Sequence, residues 1–244
     1  MSKETLPKAR SLEVSDFANG PTLVLAPHAD DETLACGGLI YHLTAAGQDL
    51  AVALVSDGTG SHPGSRTHSP EQRRAVREAE FGEALNVLTY GTPPPVHFLR
   101  FPDTRVPRAG TAGFTELTDG LYDLVDRYRP AVVVTPWRRD PHGDHRGTTE
   151  GILTALKRYG ASVRLLEYPV WVYEIAGTGD APTAGEVDVY AFDVADAISV
   201  KQRAIRAHRS QLDNTVFADP DGFYLTESML AHFARPVEYY YQKK

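Results

Sequence analysis

The chain has 244 residues and a net charge of −7, from 25 basic and 32 acidic side chains, which argues against nucleic acid or an anionic membrane surface as a partner. Its single cysteine, Cys36, excludes an intrachain disulfide and a cysteine-rich zinc site, so His, Asp and Glu are the available metal ligands. We expect one domain over residues 1–244 and a cytoplasmic protein, because residues 1–7 lack the apolar core of a secretory signal and no run could span a bilayer.

Apolar runs alternate with helical patterns along the first two thirds of the chain. This order predicts an α/β fold with a Rossmann-like, mostly parallel sheet flanked by helices on both faces. The strand segments are almost continuously apolar, so we expect them to be buried on both faces. The predicted strands are 22–26, 50–56, 96–99, 131–135 and 163–166, and the predicted helices are 33–46, 70–88, 115–128 and 148–159.

The last third of the chain departs from this alternation. Segments 168–173 and 187–194 have the composition of strands, segment 195–210 is typical of a helix, and the aromatic segment 237–241 is typical of a final strand. We therefore expect additional strands in the C-terminal third that leave the parallel order.

Two clusters of His and Asp residues follow predicted strands. Segment 27–32, Pro-His-Ala-Asp-Asp-Glu, follows the first strand, and segment 140–145, Asp-Pro-His-Gly-Asp-His, follows the fourth. Ligands bind beyond the carboxyl ends of strands in open α/β sheets, so neighbouring strands would join the clusters in one site. Segment 27–32 alone is equally typical of an acidic helix start. The paired histidines of the second cluster favour a metal site.

The spacing within each cluster indicates which side chains could act together. His28 and Asp31 are three residues apart and face the same way if the first helical turn has begun, which leaves Asp30 as a free carboxylate. His142 and His145 have the same spacing, so one could complete a three-ligand site while the other faces the substrate. Asp144 is also explained as a cap of the following helix. Imidazole and carboxylate ligands suit a catalytic zinc site.

These motifs resemble those of the PIG-L/LmbE-like de-N-acetylase family, an N-acetylglucosaminyl deacetylase type. Its hallmarks are a (P/A)-H-P-D-D-E motif after the first strand and a later H-x-D-H motif, which stand here at 27–32 and 142–145. The similarity extends to segments 56–60, 64–66, 101–103 and 201–211, so it covers nearly the whole chain. Ala29 replaces the usual proline, which relaxes a backbone constraint without removing a ligand. For segment 201–211 we expect a structural role.

The resemblance implies zinc-dependent hydrolysis of an N-acetyl group by metal-activated water. Zinc would be bound by His28, Asp31 and His145, with Asp30 as the general base. A protonated His142 would stabilise the tetrahedral intermediate. Two nitrogens and one carboxylate are also compatible with Fe(II), and the sequence does not separate the two metals.

The resemblance also implies a substrate class. Arg66 and Asp103 match positions that bind or position the substrate, although a loop ion pair and a turn aspartate would explain them equally well. We expect a small-molecule N-acetylglucosamine-type sugar conjugate as substrate, with no nucleic acid and no membrane as partner. The sequence leaves the oligomeric state open, including a homo-oligomer.

Two other functions stay open at this point. Segment 58–64, Gly-Thr-Gly-Ser-His-Pro-Gly, follows a strand as a dinucleotide-binding loop does, but its third glycine comes one residue late. A capping box at Ser69, Pro70 and Gln72 also delays the next helix to Pro70. A nucleotide-binding Rossmann module is one alternative, and a catalytically silent relative that binds metal and sugar is the other. No G-x-S-x-G motif of a serine hydrolase occurs.

Overall fold

A computed structural model describes residues 8–183 and 185–244, and in it eight strands form one mixed sheet. Residues 1–7, on which the predicted location partly depends, lie outside the described residues. The strands are β1 (Arg10–Leu12), β2 (Thr22–Ala26), β3 (Leu50–Ser56), β4 (Val96–Phe101), β5 (Val132–Pro136), β6 (Arg164–Tyr168), β7 (Val187–Asp193) and β8 (Val237–Lys243).

Helices pack on both faces of this sheet. They are α1 (Asp31–Ala45), α2 (Pro70–Leu88), α3 (Phe114–Tyr128), α4 (Gly143–Tyr159), α5 (Val172–Ile175), α6 (Ile198–Ile205) and α7 (Glu227–Phe233), with 3-10 turns at Val14–Phe17 and Arg209–Gln211. Within the described ranges, no helix combines the length and apolar composition that a bilayer span requires.

The strand order is β1-β7-β8-β6-β5-β2-β3-β4, and every pairing is parallel except those of β8 with β6 and β7. After β2 the chain continues outward through β3 and β4, then returns to the other side of β2 to form β5. The direction of winding therefore reverses between β2 and β5, which is a topological switch point of the kind where ligands bind. The prediction of a mostly parallel, Rossmann-like α/β sheet is confirmed.

Alternate residues of the central strands enter two separate hydrophobic cores. Val24 and Ala26 of β2 join the core beneath α1, α2, α6 and α7, whereas Leu23 and Leu25 join the core beneath α3 and α4. Every residue of β2, β3 and β5 is buried, as their apolar composition predicts. The same prediction is wrong for β4, whose residues are half-buried or exposed because it is an edge strand. It holds only in part for β6, whose first two residues are half-buried.

The predicted elements of the first two thirds are present, and most ends differ by two residues or fewer. The exception is α4, which begins at Gly143 instead of at the predicted residue 148. His142 precedes this helix, and its Nδ1 accepts a hydrogen bond from the backbone N–H of Asp144 at 3.2 Å. An imidazole thus caps α4 in the way that a short polar side chain usually does.

The predicted strand over 168–173 is wrong. β6 ends at Tyr168, and the next residue, Pro169, has no N–H for a sheet hydrogen bond. The N–H groups of Val170 and Trp171 donate to the carboxylate of Asp140 at 3.2 and 2.9 Å instead of to a neighbouring strand. The chain therefore turns here and forms the short helix α5.

The other predicted C-terminal segments have the expected type of secondary structure, strand or helix. Segments 187–194 and 237–241 form β7 and β8, and the antiparallel pairings of β8 are the expected departure from parallel order. The predicted helix over 195–210 is shorter than expected. It comprises α6, which ends at Ile205, followed by the 3-10 turn Arg209–Gln211.

Two helical glycines provide a matched test of this packing. A Cβ on Gly38 of α1 would lie 2.1 Å from Val194 Cγ1, whereas a Cβ on Gly82 of α2 would meet nothing within 4 Å. We expect Gly38→Ala to lower the free energy of unfolding by about 1–3 kcal/mol through overpacking. Gly82→Ala should raise it by up to about 1 kcal/mol through helix propensity. Urea unfolding measures both, and a Gly38→Ala variant as stable as the parent would contradict the close approach of α1 to Val194.

Candidate metal centre and active site

The two His/Asp clusters meet beyond the carboxyl ends of β2 and β5. These strands are neighbours in the sheet, with Val24 opposite Val134. Asp31 Oδ2 lies 3.2 Å from His28 Nδ1 and 3.2 Å from His145 Nε2. Residues more than a hundred positions apart in the chain therefore form one group, as expected from the strand order.

The start of α1 fixes the first cluster. Asp31 is the first residue of the helix, and its Oδ2 also accepts a hydrogen bond from the backbone N–H of His28 at 2.9 Å. A carboxylate is favoured in this first turn by the helix dipole. Ala29, which stands where the family motif has proline, is buried in the main hydrophobic core. Packing of Ala29 in the core thus restricts the backbone at this position, as a proline ring would otherwise do.

The arrangement around His145 fits a metal ion. The ring is fully buried, and neither ring nitrogen has a hydrogen-bond partner among the described residues. An unpaired buried polar group is costly. Tetrahedral zinc with nitrogen and oxygen ligands at about 2.0–2.2 Å holds its donor atoms roughly 3.3 Å apart, close to the 3.2 Å distances around Asp31 Oδ2. Nitrogens of His28, His142 and His145 also lie within 4.8 Å of one another.

Further carboxylates face the outer nitrogens of the two rings. Asp140 Oδ1 lies 3.4 Å from His145 Nδ1, and Asp144 Oδ2 and Asp103 Oδ1 lie 3.1 and 3.3 Å from His28 Nε2. Metal-binding histidines commonly have such a carboxylate on the nitrogen away from the metal. Asp140 and Asp144 are absent from the predicted site residues, although both belong to the second cluster.

Asp144 is not the cap of α4. Its two oxygens accept hydrogen bonds from the backbone N–H groups of Thr104 and Val106, at 2.7 and 3.1 Å. The carboxylate therefore joins the loop after β4 to the His28 ring, which is a contact between distant segments and not a local helix end.

The electrostatics of the centre favour positive charge. Burial by itself would lower the pKa of His28, but hydrogen bonds with Asp103, Asp144 and Asp31 raise this pKa well above its usual value. Burial likewise opposes the charge of His145, yet the Asp31 carboxylate raises its pKa. The carboxylates thus stabilise a cation at this position, whether a proton on the rings or a metal ion.

Asp30 lies beside the centre with its carboxylate at the wall of a cavity. Its Oδ2 is 3.4 Å from Nη2 of Arg77, which also donates to the carbonyl oxygen of Ala29 at 2.8 Å. Arg77 belongs to α2, is almost fully buried and lines the same cavity. It was not predicted, although its helical spacing from buried Phe81 and Ala84 indicates an inward-facing position.

His142 also lines the cavity and stacks on Trp171, with ring centroids 5.6 Å apart and planes 27° apart. Burial, followed by the neighbouring His28 and His145 rings, lowers the pKa of His142 to about 3. In the metal-free chain this favours the neutral ring, and the protonated His142 that the resemblance implies stays a prediction. Because Nδ1 accepts from the Asp144 N–H, the proton of the neutral ring is assigned to Nε2.

The two predicted substrate-binding residues lie in different surroundings. Asp103 lines the cavity, and its Oδ2 accepts a hydrogen bond from the Gly60 N–H at 2.9 Å. Arg66 is exposed on the loop between β3 and α2 and is not among the described residues that line the cavity. Its role in substrate binding stays a prediction.

Segment 58–64 does not form a phosphate cradle. The backbone N–H groups of Thr59, Gly60 and Gly64 donate to the carboxylates of Asp57, Asp103 and Asp219 at 2.8–3.0 Å. Donors bound to carboxylates are not available to an anion, and α2 begins only at Pro70. This arrangement disfavours the alternative of a nucleotide-binding module.

Segment 201–211 supports the site from behind. Lys201 donates to Glu238 at 2.7 Å, and His208 Nε2 lies 3.1 Å from Glu32, the residue after Asp31. Gln211 lines the cavity. The helix ends at Ile205, so these residues do not form one helical stripe, and their contacts agree with the structural role that we expected.

The cavity that joins these residues has a volume of about 460 Å³, within the range of small-molecule sites. The polar lining residues include His28, Asp30, Arg77 and Asp103. The apolar lining residues belong to or pack against one hydrophobic cluster. We call them the apolar wall, which comprises Leu34, Val170, Trp171, Phe223, Leu225 and Met229.

Comparison with known proteins gives a family. Residues 23–156, more than half of the chain, match the PIG-L family model, described as GlcNAc-PI de-N-acetylase. The chain is 28% identical over 208 residues to the diacetylchitobiose deacetylase of Thermococcus kodakarensis, covering 80% of this chain and 71% of that protein. It is 29% identical over 234 residues to the 1D-myo-inositol 2-acetamido-2-deoxy-alpha-D-glucopyranoside deacetylase of Mycobacterium sp. (strain KMS), covering 78% and 73%.

A solved structure shows the same fold. The N,N'-diacetylchitobiose deacetylase from Pyrococcus horikoshii, complexed with its inhibitor MPG, superposes with a TM-score of 0.65 and 20% identity. The superposition covers 96% of this chain and 86% of that one.

The Asp140 carboxylate provides a test of the metal centre. Asp140→Asn retains an oxygen acceptor for the Val170 and Trp171 N–H groups but removes the negative charge that faces His145 Nδ1. We expect zinc affinity to fall about 10–100-fold, as measured by competition with a chelator. Asp196→Asn, at an exposed carboxylate remote from the site, is the matched control. Equal affinities of the Asp140 variant and the parent would show that this carboxylate does not orient a ligand.

Proposed function

This chain belongs to the PIG-L family, and we propose that it is a metal-dependent deacetylase that hydrolyses the N-acetyl group of an N-acetylglucosamine-type sugar conjugate. The proposal rests on the junction of Asp31 with His28 and His145, beside a cavity that Asp30 also faces. It is supported by the names of the relatives, which are deacetylases of diacetylchitobiose and of an acetamido-deoxy-glucopyranoside.

In this proposal His28, Asp31 and His145 hold the metal ion, with zinc as the preferred metal and Fe(II) as a compatible one. A divalent ion held there supplies a Lewis acid, which polarises a carbonyl oxygen and lowers the pKa of water to about 7. The ring of His145 is fully buried, and each of its nitrogens faces a carboxylate without a hydrogen bond, which supports its assignment as a ligand.

Asp30 acts as the general base. Its carboxylate accepts a proton from the attacking water as the water oxygen bonds to the acetyl carbon. When the C–N bond breaks, Asp30 returns that proton to the departing nitrogen, so that acetate and a free amine are released. Arg77, with Nη2 at 3.4 Å from Asp30 Oδ2, holds the carboxylate in position.

His142 stabilises the negative charge that develops on the acetyl oxygen. In the neutral ring Nε2–H is the donor, since Nδ1 accepts from the backbone of Asp144. A preorganised donor of this type contributes roughly 3–4 kcal/mol to stabilisation of the transition state.

Substrate hydroxyl groups would contact the polar residues that line the cavity, where Asp103 offers an acceptor. Arg66 remains a candidate by resemblance. Because it is exposed outside the cavity lining, we propose that it contacts only the part of a long substrate that leaves the cavity.

Variants of the adjacent residues Asp30 and Asp31 distinguish the proposed general base from a proposed metal ligand. We expect Asp30→Asn to retain one equivalent of zinc while kcat falls about 10²–10⁴-fold, because the proton acceptor is lost. Asp31→Asn should lose both metal and activity, because it removes a ligand. Elemental analysis and acetate-release kinetics on both variants make the comparison. Full activity of zinc-loaded Asp30→Asn would refute its assignment as the base.

Acetate release tests the function itself. Zinc-loaded protein should release acetate and a free amine in equal amounts from N-acetylglucosamine and its conjugates. Asp31→Asn protein, treated in the same way, is the control for contaminating activity. A metal-loaded protein that binds these sugars by calorimetry but releases no acetate would instead be a catalytically silent relative.

A further inference from the structure

The apolar wall presents to the cavity two aromatic rings that the proposed reaction leaves unused, those of Trp171 and Phe223, while its other four members are buried. Beyond its stacking on His142, the Trp171 ring contacts the Phe223 ring with centroids 5.4 Å apart. Both rings are half-buried and both line the cavity, so part of each is accessible from it. The wall therefore extends from the proposed oxyanion donor toward the opening of the cavity.

Contacts from a separate loop hold the wall in place. The Phe223 N–H donates to the carbonyl oxygen of Ser61 at 2.9 Å. The buried ring of His62 packs against the rings of Phe217 and Tyr224, with centroids 4.9 and 5.0 Å away. The segment that carries Phe223 is thereby joined to the loop after β3. A surface fixed in this way needs little ordering when a ligand binds.

The charged side chains in the same cavity are mostly acidic. Asp30, Asp31, Asp103 and Asp221 line it, and Arg77 is the one Lys or Arg side chain among the described residues that do so. Arg77 already faces Asp30. With a divalent ion bound, the ion and Arg77 together would still carry less positive charge than the negative charge of the four carboxylates. An anionic group would therefore find no free counter-charge and would meet Asp221, which is exposed at the opening.

We propose that the substrate carries an uncharged, apolar aglycone, of aryl or alkyl type, which packs against the apolar wall. This inference rests on the proposed deacetylase function and specifies its substrate class. The methyl group of an acetyl is too small to cover the accessible parts of the Trp171 and Phe223 rings, and sugar hydroxyl groups would lack hydrogen-bond partners against them. An apolar aglycone gains from burial there, whereas an anionic one would be desolvated without a partner.

A substrate series on the unmodified, zinc-loaded protein tests the proposal. The series is N-acetylglucosamine, its phenyl β-glycoside, and the 4-carboxyphenyl and 4-(aminomethyl)phenyl β-glycosides, with N-butanoylglucosamine to probe the acyl side. We expect kcat/KM for the phenyl glycoside to exceed that for the free sugar at least about tenfold, mainly through KM. The carboxyphenyl glycoside should lose most of this gain. The aminomethylphenyl glycoside should lose a smaller part of it, because the acidic lining offsets some of the cost of desolvating its ammonium group.

Variants test whether the apolar wall causes the preference for the phenyl glycoside over the free sugar. Phe223→Ala should lower the ratio of kcat/KM for phenyl glycoside over free sugar by about tenfold. Ile175→Ala is the matched control, because Ile175 is a large apolar side chain that is exposed outside the cavity lining, and it should preserve the ratio. If Phe223→Ala does not fold, the series on the unmodified protein still decides the question.

The exposed carboxylate at the opening gives a second, independent test. Asp221→Asn should raise kcat/KM for the carboxyphenyl glycoside relative to the phenyl glycoside by about two- to fivefold at low salt, since it removes one repulsive charge.

Equal kcat/KM for the phenyl glycoside and the free sugar would overturn the inference. So would a preference for either charged glycoside, or for N-butanoyl over N-acetyl, which would assign the wall to the acyl chain. In each case acetate or acyl release would leave the proposed function standing. Release from none of the substrates would overturn the proposed function and this inference together.

Discussion

The parallel pairing of β2 with β5 is the constraint on which the rest of the structure depends. Because the winding of the sheet reverses between these two strands, their carboxyl ends are adjacent while the loops that follow diverge to opposite sides. The group of His28, Asp31 and His145 forms at that position, and the 3.2 Å distance from Asp31 Oδ2 to His145 Nε2 joins the two loops. The cavity lies above it, between the loops after β3 and β5 and the segment before α7.

Charged partners stabilise most of the polar groups that are buried at the site. Carboxylates raise the pKa of His28 and His145 against the opposing effect of burial, so the centre attracts positive charge even in the metal-free chain. Behind it, Lys201 and Glu238 form a buried ion pair, and Glu238 also accepts from the N–H groups of Gly38 and Leu39 in α1. The helix that begins with Asp31 is thereby held at two points along its length.

One carboxylate connects the metal centre to the substrate cavity. Asp140 faces His145 with one oxygen and accepts from the Val170 and Trp171 N–H groups with the other. The turn at Pro169 that ends β6 therefore also orients the Trp171 ring, which stacks on His142. In our proposal, the orientation of His145, the stabilisation of the oxyanion by His142 and the binding of the aglycone by the apolar wall therefore all depend on this turn.

The sequence by itself determined the parts that depend on local chemistry. Continuous apolar runs defined β2, β3 and β5, a capping box defined the start of α2 at Pro70, and two His/Asp clusters at strand ends indicated where the site would lie. Only the tertiary structure decided that Pro169 begins a turn, that β4 is an edge strand, and that Arg77, Asp140 and the apolar wall belong to the site. These features depend on partners far away in the chain, such as the Asp140 carboxylate for Trp171. Periodicity and composition describe only how a residue relates to its neighbours in sequence. They do not indicate which distant residues it contacts in the folded protein.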